Sequence, residues 1–474
     1  MKASEFVLHE PIAAIATALV PSALGIVRTS GRGCIELIAP YFSRPEQLLS
    51  AAGNTALHGW LYDAPRESTE QRRAVDEVVL TVYRGPKSFT GEDSVEITGH
   101  GGTAVIFAIY RLLINAGFRP AEKGEFTFRA FASGKADLSR SEAVREIIEA
   151  KTDSARARAA KRLAGSVEKE ISEIKDMVLR ILAAIEVEIE YPEDEETTGG
   201  AFDISLAKEA EKRLERLESS WKAEKLYQEG VRIVLAGSTN AGKSSLFNAL
   251  LKEDRSIVSD IHGTTRDWIE SSVDFAGIPV RLYDTAGLRE SEDLIETEGV
   301  ERSRTLSAAA DIVLYLADST LGLTDADRAF LKQASQDFPP VILIWNKADS
   351  PQAGEKPSLA ETGDVPRAVY TLSAKTGEGL REMVEGIAEM LLCSINEVSV
   401  QEGGPRLGSG RQKNAVCLAR ISLNHAVKAA EQGYPMDAVS QDMEEALHAL
   451  GEITGEVTPD DILDTVFSQF CVGK

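Results

Sequence analysis

Sulfur and imidazole are scarce in this sequence. Four cysteines, Cys34, Cys393, Cys417 and Cys471, lie far apart with no C-x-x-C, and six scattered histidines form no H-x-x-x-H pair. That spacing indicates neither a disulfide framework nor a zinc site. Positive charge is also short: 52 Lys and Arg stand against 75 Asp and Glu, a formal net charge of -23. An acidic chain is repelled on average by nucleic acid, so any RNA contact has to come from a local basic face. No apolar run is long enough to span a bilayer, and Met1-Lys2-Ala3-Ser4-Glu5 lacks a signal-peptide pattern. The expectation is a cytoplasmic protein with no membrane association. What is present is an ordinary globular composition, 43% hydrophobic, over 474 residues, a length that suggests about three domains.

One stretch organises the rest. Gly237-Ser238-Thr239-Asn240-Ala241-Gly242-Lys243-Ser244 matches G-x-x-x-x-G-K-[ST]. The apolar, β-branched run Val231–Ala236 before it reads as a buried strand, and Ser245–Leu251 after it reads as a helix. In that context the glycines let backbone N–H groups turn inward around phosphate oxygens, and the helix N-terminus adds its positive dipole end. Lys243 is placed for the β- and γ-phosphates and the Ser244 hydroxyl for Mg²⁺.

Four further elements follow in order. Gly263-Thr264-Thr265-Arg266-Asp267 is polar, and Thr265 suits the Mg²⁺ shell. The strand Val280–Tyr283 ends in Asp284-Thr285-Ala286-Gly287, where Asp284 suits a Mg²⁺ water and the Gly287 N–H the γ-phosphate. The strand Val341–Trp345 ends in Asn346-Lys347-Ala348-Asp349. A carboxylate there accepts two N–H bonds from a guanine edge that adenine does not offer, and the Lys347 stem can lie over the base. The strand Val369–Leu372 ends in Ser373-Ala374-Lys375, a backbone contact for guanine O6. These elements look like the GTPase superfamily. Leu288 stands where a Ras-type enzyme has a water-positioning glutamine, so hydrolysis needs another group. Asn240 offers an oxygen for a monovalent cation.

Residues 8–118 mix short apolar runs and turns, an α+β pattern without βαβ alternation. Ile12–Ala16, Gly25–Arg28 and Glu77–Tyr83 read as strands and Ala104–Ala116 as a helix. The stretch Ser88–Gly102 places Glu92, Asp93, Glu96 and His100 among glycines; by pattern alone it is a polar loop around a short strand. Gly124–Lys135 brings acid, base and aromatics together. From Leu138, apolar residues recur at Ala143, Ile147, Ala150, Ala157, Ala160, Leu163, Val167, Ile171, Ile174, Val178, Ile181 and Ile185, a long-helix spacing. Tyr191-Pro192 and an acidic cluster break it, and Ser205–Tyr227 resumes a helix. Gln401–Pro405 looks like a linker before helical spacing from Gln412 to Gly451. The chain ends in Phe470-Cys471-Val472-Gly473-Lys474, either a packed tail with a buried thiol or a tail that inserts into a site.

The motifs Ser88–Gly102, Gly124–Lys135, Tyr191–Glu196, the GTPase elements with Leu288, Gly451–Gly455 and the C-terminal Phe-Cys-Val-Gly-Lys occur together in this order. The chain closely resembles the MnmE/TrmE family of bacterial tRNA-modification GTPases. The resemblance implies a multidomain fold. An N-terminal α+β folate-binding-like and dimerisation domain covers 1–118. A discontinuous α-helical domain takes 119–228 and 394–474, and an α/β P-loop GTPase domain, 229–393, is inserted in it. It implies GTP contacts at Asn240, Ala241, Gly242, Lys243, Ser244, Ser245, Thr264, Thr265, Asp284, Thr285, Ala286, Gly287, Asn346, Lys347, Asp349, Ser373, Ala374 and Lys375. K⁺, standing in for an arginine finger, falls to Asn240, Ser259, Ile261 and Thr264, and Mg²⁺ to Ser244 and Thr265. Glu296 matches the acid that orients water through a second water. Arg28, Glu96, Lys135 and Lys474 match contacts to a tetrahydrofolate derivative, in the 5-formyl or methylene form, and Cys471 a cysteine near the chemistry. The implied assembly is a homodimer working with an FAD-dependent partner of the MnmG/GidA type, as a heterotetramer, on C5 of the wobble uridine of certain tRNAs. The chain departs from the family pattern at Ala18–Ala23, in place of a Pro- and Gly-rich loop, and at Lys123, Arg140 and Thr239. Two other classes share parts of the pattern: an assembly-switch GTPase, which needs no Cys-Val-Gly-Lys tail, and a folate-dependent aminomethyl transferase with a regulatory G domain.

Overall fold

The computed structural model describes residues 8–68, 71–190, 202–253, 270–284, 310–334, 339–362, 365–393 and 404–473. The chain divides into two compact units, one made of Met1–Arg145, Leu163–Leu214 and Asn414–Lys474, the other of Glu146–Arg162 and Glu215–Lys413.

In the first unit, β1 (Ile12–Ile15), β2 (Leu24–Ser30), β3 (Thr55–Tyr62), β4 (Ala74–Tyr83), β5 (Ser94–His100) and β6 (Arg119–Pro120) form one sheet in the order β3-β4-β5-β2-β1-β6. All neighbours are antiparallel except β1 and β6. Along β4, Asp76, Val78, Leu80 and Val82 are buried and the residues between them are not, the period-2 pattern of a half-covered sheet. The covered face packs on α1 (Cys34–Ile38), α2 (Pro45–Leu49) and α3 (Thr103–Asn115) through Ile35, Ile38, Leu48, Ile106, Ile109 and Leu113.

After α4 (Glu125–Ala132), the long-helix spacing resolves into three helices: α5 (Leu138–Glu149), α6 (Asp153–Leu163) and α7 (Ser166–Glu190). Two local devices make the breaks. The Thr152 hydroxyl accepts a hydrogen bond from Ala155 N at 3.2 Å and so starts α6 afresh. Gly165 takes φ +91°, and a Cβ there would lie 2.4 Å from the Arg140 guanidinium. The restart shifts the apolar phase. In α6 the buried apolar positions are Ala155 and Ala159, not Ala157 and Ala160. In α7 the expected stripe Val167, Ile171, Ile174, Val178, Ile181 and Ile185 is buried.

The second unit holds the other sheet. α8 (Ile204–Glu229) leads into β7 (Val231–Gly237), and α9 (Lys243–Glu253) follows it. β8 (Glu270–Phe275) and β9 (Ile278–Asp284) form a hairpin. Then come β10 (Ile312–Asp318), α10 (Asp325–Gln333), β11 (Val341–Asn346), β12 (Pro366–Thr371) and α11 (Leu380–Cys393). The order is β12-β11-β10-β7-β9-β8, parallel except for β8. Chain order reverses between β9 and β10 on either side of β7, the switch point at which α/β sheets place ligands. The closing helices are α12 (Gly410–Glu431), α13 (Met436–Thr454) and α14 (Asp460–Ser468); the spacing from Gln412 to Gly451 is thus two helices, parted at residues 432–435.

The first unit also contains a buried ionic network. Glu125, fully buried, accepts from Arg119 at 2.5 and 3.1 Å and from Arg129 at 2.9 Å. Burial pushes the Glu125 carboxyl up, but the Arg119 hydrogen bonds, the Glu122 N–H and the two guanidinium charges outweigh it and hold it below the usual carboxylate range. A depressed folded pKa means that the unfolded chain binds more protons in acid. The contribution is therefore complete above about pH 5 and lost as the pH falls below about 4.3 towards the folded value. Thermal melts of the Glu125→Gln protein should show a shallower loss of stability than wild type across that acid window; parallel curves would contradict the assignment.

Candidate functional site

The C-terminal ends of β7, β10, β11 and β12 converge. β7 ends in Gly237 at φ +139°, where a Cβ would lie 2.2 Å from Leu316 O. Asn240 takes φ +64°, a conformation asparagine tolerates, and its side chain is exposed. Gly242 takes φ +99°, and a Cβ there would lie 2.2 Å from Asn346 Nδ2. The loop thus curls tightly into α9, and the Lys243 ammonium donates back to Gly237 O at 2.9 Å and Ser238 O at 2.8 Å.

Asn346, 2% exposed, ties three loops. Its Nδ2 donates to Ala241 O at 2.7 Å, and its Oδ1 accepts from Ala374 N at 2.9 Å. Three residues on, Asp349 Oδ1 accepts from the buried Ser373 hydroxyl at 2.7 Å. Ser373 Oγ also accepts from Thr376 N at 3.2 Å, which fixes the second loop. Ala348 N donates to Leu372 O at 3.2 Å. Asp349 and Lys375 are exposed at this rim. The arrangement offers a phosphate cradle at one end and a carboxylate beside backbone N–H groups at the other.

A second constellation lies in the first unit. Arg28 on β2 and Glu96 on β5 are direct cross-strand partners, with guanidinium–carboxylate distances of 2.7 and 2.9 Å. The guanidinium lies 5.6 Å from the Phe89 ring centroid and 5.8 Å from that of Phe126, and it donates to Gly473 O at 3.2 Å. The tail therefore docks by its backbone. Val472 bridges Lys123, Phe467 and Phe470 are buried, and Cys471 is exposed. The buried-thiol alternative is overturned: aromatic residues upstream hold the segment, and the thiol faces outward.

Comparison with known proteins finds the same family at both ends of the chain. The family profile for the MnmE helical domain matches residues 138–471, and that for the GTP-binding protein TrmE N-terminus matches residues 11–135. The tRNA modification GTPase MnmE of Treponema denticola is 52% identical over 481 positions, covering both chains completely. The MnmE of Treponema pallidum strain Nichols is 44% identical over 507 positions, again with full coverage of both. That of Carboxydothermus hydrogenoformans is 39% identical over 477 positions, covering 98% of this chain and all of the relative. The chain belongs to the MnmE/TrmE family.

In this MnmE/TrmE member, the structure brings together Ala241, Gly242 and Lys243 with Asn346, Lys347, Asp349, Ser373 and Ala374 around one sheet edge. Ser244 and Ser245 open α9 with exposed side chains. Ser259, Ile261, Thr264, Thr265, Thr285, Ala286, Gly287, Leu288, Glu296 and Lys474 lie outside the described residues, as does the side chain of Asp284. On the Arg28 side, Lys135 pairs with neither Arg28 nor Glu96. Its ammonium donates to Pro86 O at 2.9 Å, and it lines a pocket of about 280 Å³ with Ser88, Phe89, Thr127, Arg140 and Leu163.

Two acids that the sequence set among glycines are anchors. Glu92 accepts from Ser30 Oγ at 2.8 Å and from Arg129 at 2.9 Å, and Asp93 accepts from Arg84 at 3.0 Å and Gly85 N at 2.9 Å. They hold the 88–93 loop so that Phe89 covers Arg28. His100 pairs with Asp76 at 2.7 Å, and that hydrogen bond raises its pKa. One residue of the nucleotide side escaped sequence reasoning altogether: Asp318, at the end of β10. The signal was present, since Ile312–Asp318 is an apolar run ending in a carboxylate, like the runs ending in Asp284 and Asn346.

Proposed function

We propose that this protein hydrolyses GTP in the modification of tRNA, with K⁺ stimulating turnover. The single observation that carries the nucleotide reading is the Asn346 tie, which fixes the phosphate loop, the Asp349 carboxylate and the Ala374 N–H in one frame. The donor set suits the proposed ions. Asn240 presents an exposed amide oxygen from a left-handed turn within the phosphate loop, and Ser244 presents an exposed hydroxyl at the start of α9. A K⁺ held by Asn240, Ser259, Ile261 and Thr264 would supply positive charge where charge develops on the transferring phosphoryl group. Mg²⁺ would be held by Ser244 and Thr265. Glu296 would orient the attacking water.

The finer assignment is a homodimer that works with an FAD-dependent partner of the MnmG/GidA type, in a cytoplasmic heterotetramer, on C5 of the wobble uridine. A tetrahydrofolate derivative would be the one-carbon donor. Arg28 and Glu96 form a paired, half-buried polar platform beside Phe89, suited to a flat ring with donors and acceptors on its edge. Lys135 and Lys474 would complete the folate contacts, and the exposed Cys471 thiol lies on the tail that meets this platform.

The test is GTP turnover in KCl against NaCl at equal ionic strength, for wild type and Asn240→Ala. Wild type is expected to gain roughly tenfold or more in KCl, and the variant to lose that gain while still binding GDP. Equal rates in both salts would sink the cation assignment and favour an assembly switch triggered by a partner.

A further inference from the structure

We infer that Asp318 is a positioning residue for the guanine base, acting through Lys347. The inference rests on the guanine-nucleotide reading above and extends it to a residue outside the sequence motifs. β10 and β11 run parallel with Asp318 level with Asn346. Ser319 N donates to Asn346 O at 2.9 Å and continues the ladder past the strand ends. Asp318 therefore stands beside the residue preceding Lys347, and its Oδ2 accepts from the Lys347 ammonium at 2.5 Å. Its Oδ1 accepts from Thr320 N at 2.9 Å and Thr320 Oγ1 at 2.7 Å. Both oxygens are committed within the protein, and the side chain is only 8% exposed. What Asp318 does is hold one lysine.

That lysine needs holding. Lys347 takes φ +68°, a left-handed conformation that side-chain-bearing residues adopt at a cost. A free lysine also carries more rotamer entropy than almost any other residue. The ion pair fixes the ammonium against a buried carboxylate, so the methylene stem is tethered at both ends beside the loop that carries Asp349 two residues later. A fixed stem is a preformed apolar wall for the face of a base, and preorganisation appears as affinity. Burial pushes the Asp318 carboxyl up, but the Lys347 and Thr320 hydrogen bonds outweigh it and keep it ionised well into acid. The clamp is therefore closed at any physiological pH. Because the wall touches the ring face and not its edge, Asp318 sets how tightly a purine nucleotide binds, and Asp349 sets which one.

The test is a double-mutant cycle on the full chain, read as Kd for GDP and IDP by titration, with the melting temperature of nucleotide-free protein alongside. Asp318→Ala is expected to weaken GDP and IDP equally, by about tenfold, the scale of one charge-assisted hydrogen bond. Asp318→Asn keeps the Thr320 acceptor and guards against a folding failure; it should lose less. Lys347→Ala should weaken both nucleotides, and the double variant should be no worse than Lys347→Ala, because Asp318 acts through it. Losses that multiply in the double variant, or Asp318→Ala binding within twofold of wild type, would overturn the inference. A fall in nucleotide-free melting temperature that accounts for the whole loss would do the same. Asp349→Asn in the same titration separates the two readings. If it keeps the wild-type preference for GDP over IDP, the guanine assignment falls, and this inference with it. If it loses that preference while Asp318→Ala binds normally, only the inference falls.

Discussion

Asp349→Asn should weaken GTP binding by roughly 10²- to 10³-fold, because a site built to accept two N–H bonds is left offering a donor where it offered an acceptor. The geometry makes the substitution unusually clean. Ser373 Oγ donates to Asp349 Oδ1 at 2.7 Å, and asparagine retains an oxygen at that position, so the loop that carries Ala374 keeps its place. The change is confined to the outward atom, Oδ2, which becomes an NH₂ group. That group clashes electrostatically with the 2-amino group of guanine but can donate to the 2-oxo group of xanthine. Xanthosine triphosphate should therefore bind the variant better than GTP does, reversing the wild-type order. The measurement is a pair of competition titrations against one fluorescent nucleotide. A variant that binds GTP as tightly as wild type would remove Asp349 from the base pocket. Unchanged melting of the nucleotide-free protein is expected as well, since Asp349 is exposed and the Asn346 tie is untouched.

The nucleotide side was legible because its chemistry sits at strand ends. Val231–Ala236, Val341–Trp345 and Val369–Leu372 were apolar runs bounded by polar motifs, and all three are parallel strands of one sheet. Val341–Trp345 is buried at every position, and a parallel strand buried on both faces has to be continuously apolar while its loop has to be polar, so the boundary is visible in one dimension. Asp318 escaped for a related reason. Its strand, Ile312–Asp318, is buried at every position, but no glycine or lysine motif follows it. Its partner Lys347 is 29 residues away. An ion pair between two strand ends has no sequence period.

Elsewhere the limits were of two kinds. The stripe from Val167 to Ile185 was predictable because a helix of 25 residues keeps phase with itself. The segment before it was not, because one capping threonine and one left-handed glycine reset the phase twice within 14 residues, from Thr152 to Gly165. Periodicity measures continuity, and a single hydrogen bond to Thr152 ends it. The Ser88–Gly102 stretch shows the second limit. Its acids looked alike in sequence, yet Glu92 and Asp93 anchor a loop while Glu96 faces Arg28 on the open side of the sheet. Which acid is structural depends on Arg129 and Arg84, and Arg129 comes from α4, 37 residues downstream of Glu92.

Glu224→Ala should be the most destabilising single change among the ion pairs of the unit that carries the nucleotide site. Glu224 is fully buried and answers three guanidiniums: Arg158 at 2.5 Å, Arg162 at 2.8 Å and Arg406 at 3.4 Å. Burial pushes Arg162 towards losing its proton, but the charges of Glu146 and Glu224 outweigh that and hold it charged. Arg158 also lies 3.7 Å from the Tyr227 ring centroid, so the cluster is packed as well as paired. Removing the carboxylate takes from the buried Arg162 one of its two counter-charges, leaving Glu146, and takes from the partly buried Arg158 and Arg406 the carboxylate they share; breaking a buried pair costs about 3–5 kcal/mol. At this size each kcal/mol shifts the transition by roughly 2–4 °C, so a fall of about 10 °C is expected. The relevant transition is the one that GDP raises, since a ligand stabilises only the unit that binds it. Glu229→Ala is the matched control. It lies on the same helix, its side chain is 64% exposed, and its pairing with Lys225 at 3.6 Å is worth under about 0.5 kcal/mol. Equal melting of the two variants would mean that the three arginines find other carboxylates or water once Glu224 is gone. A large difference would make this cluster the point at which α8 is fixed before it enters β7 and the phosphate loop.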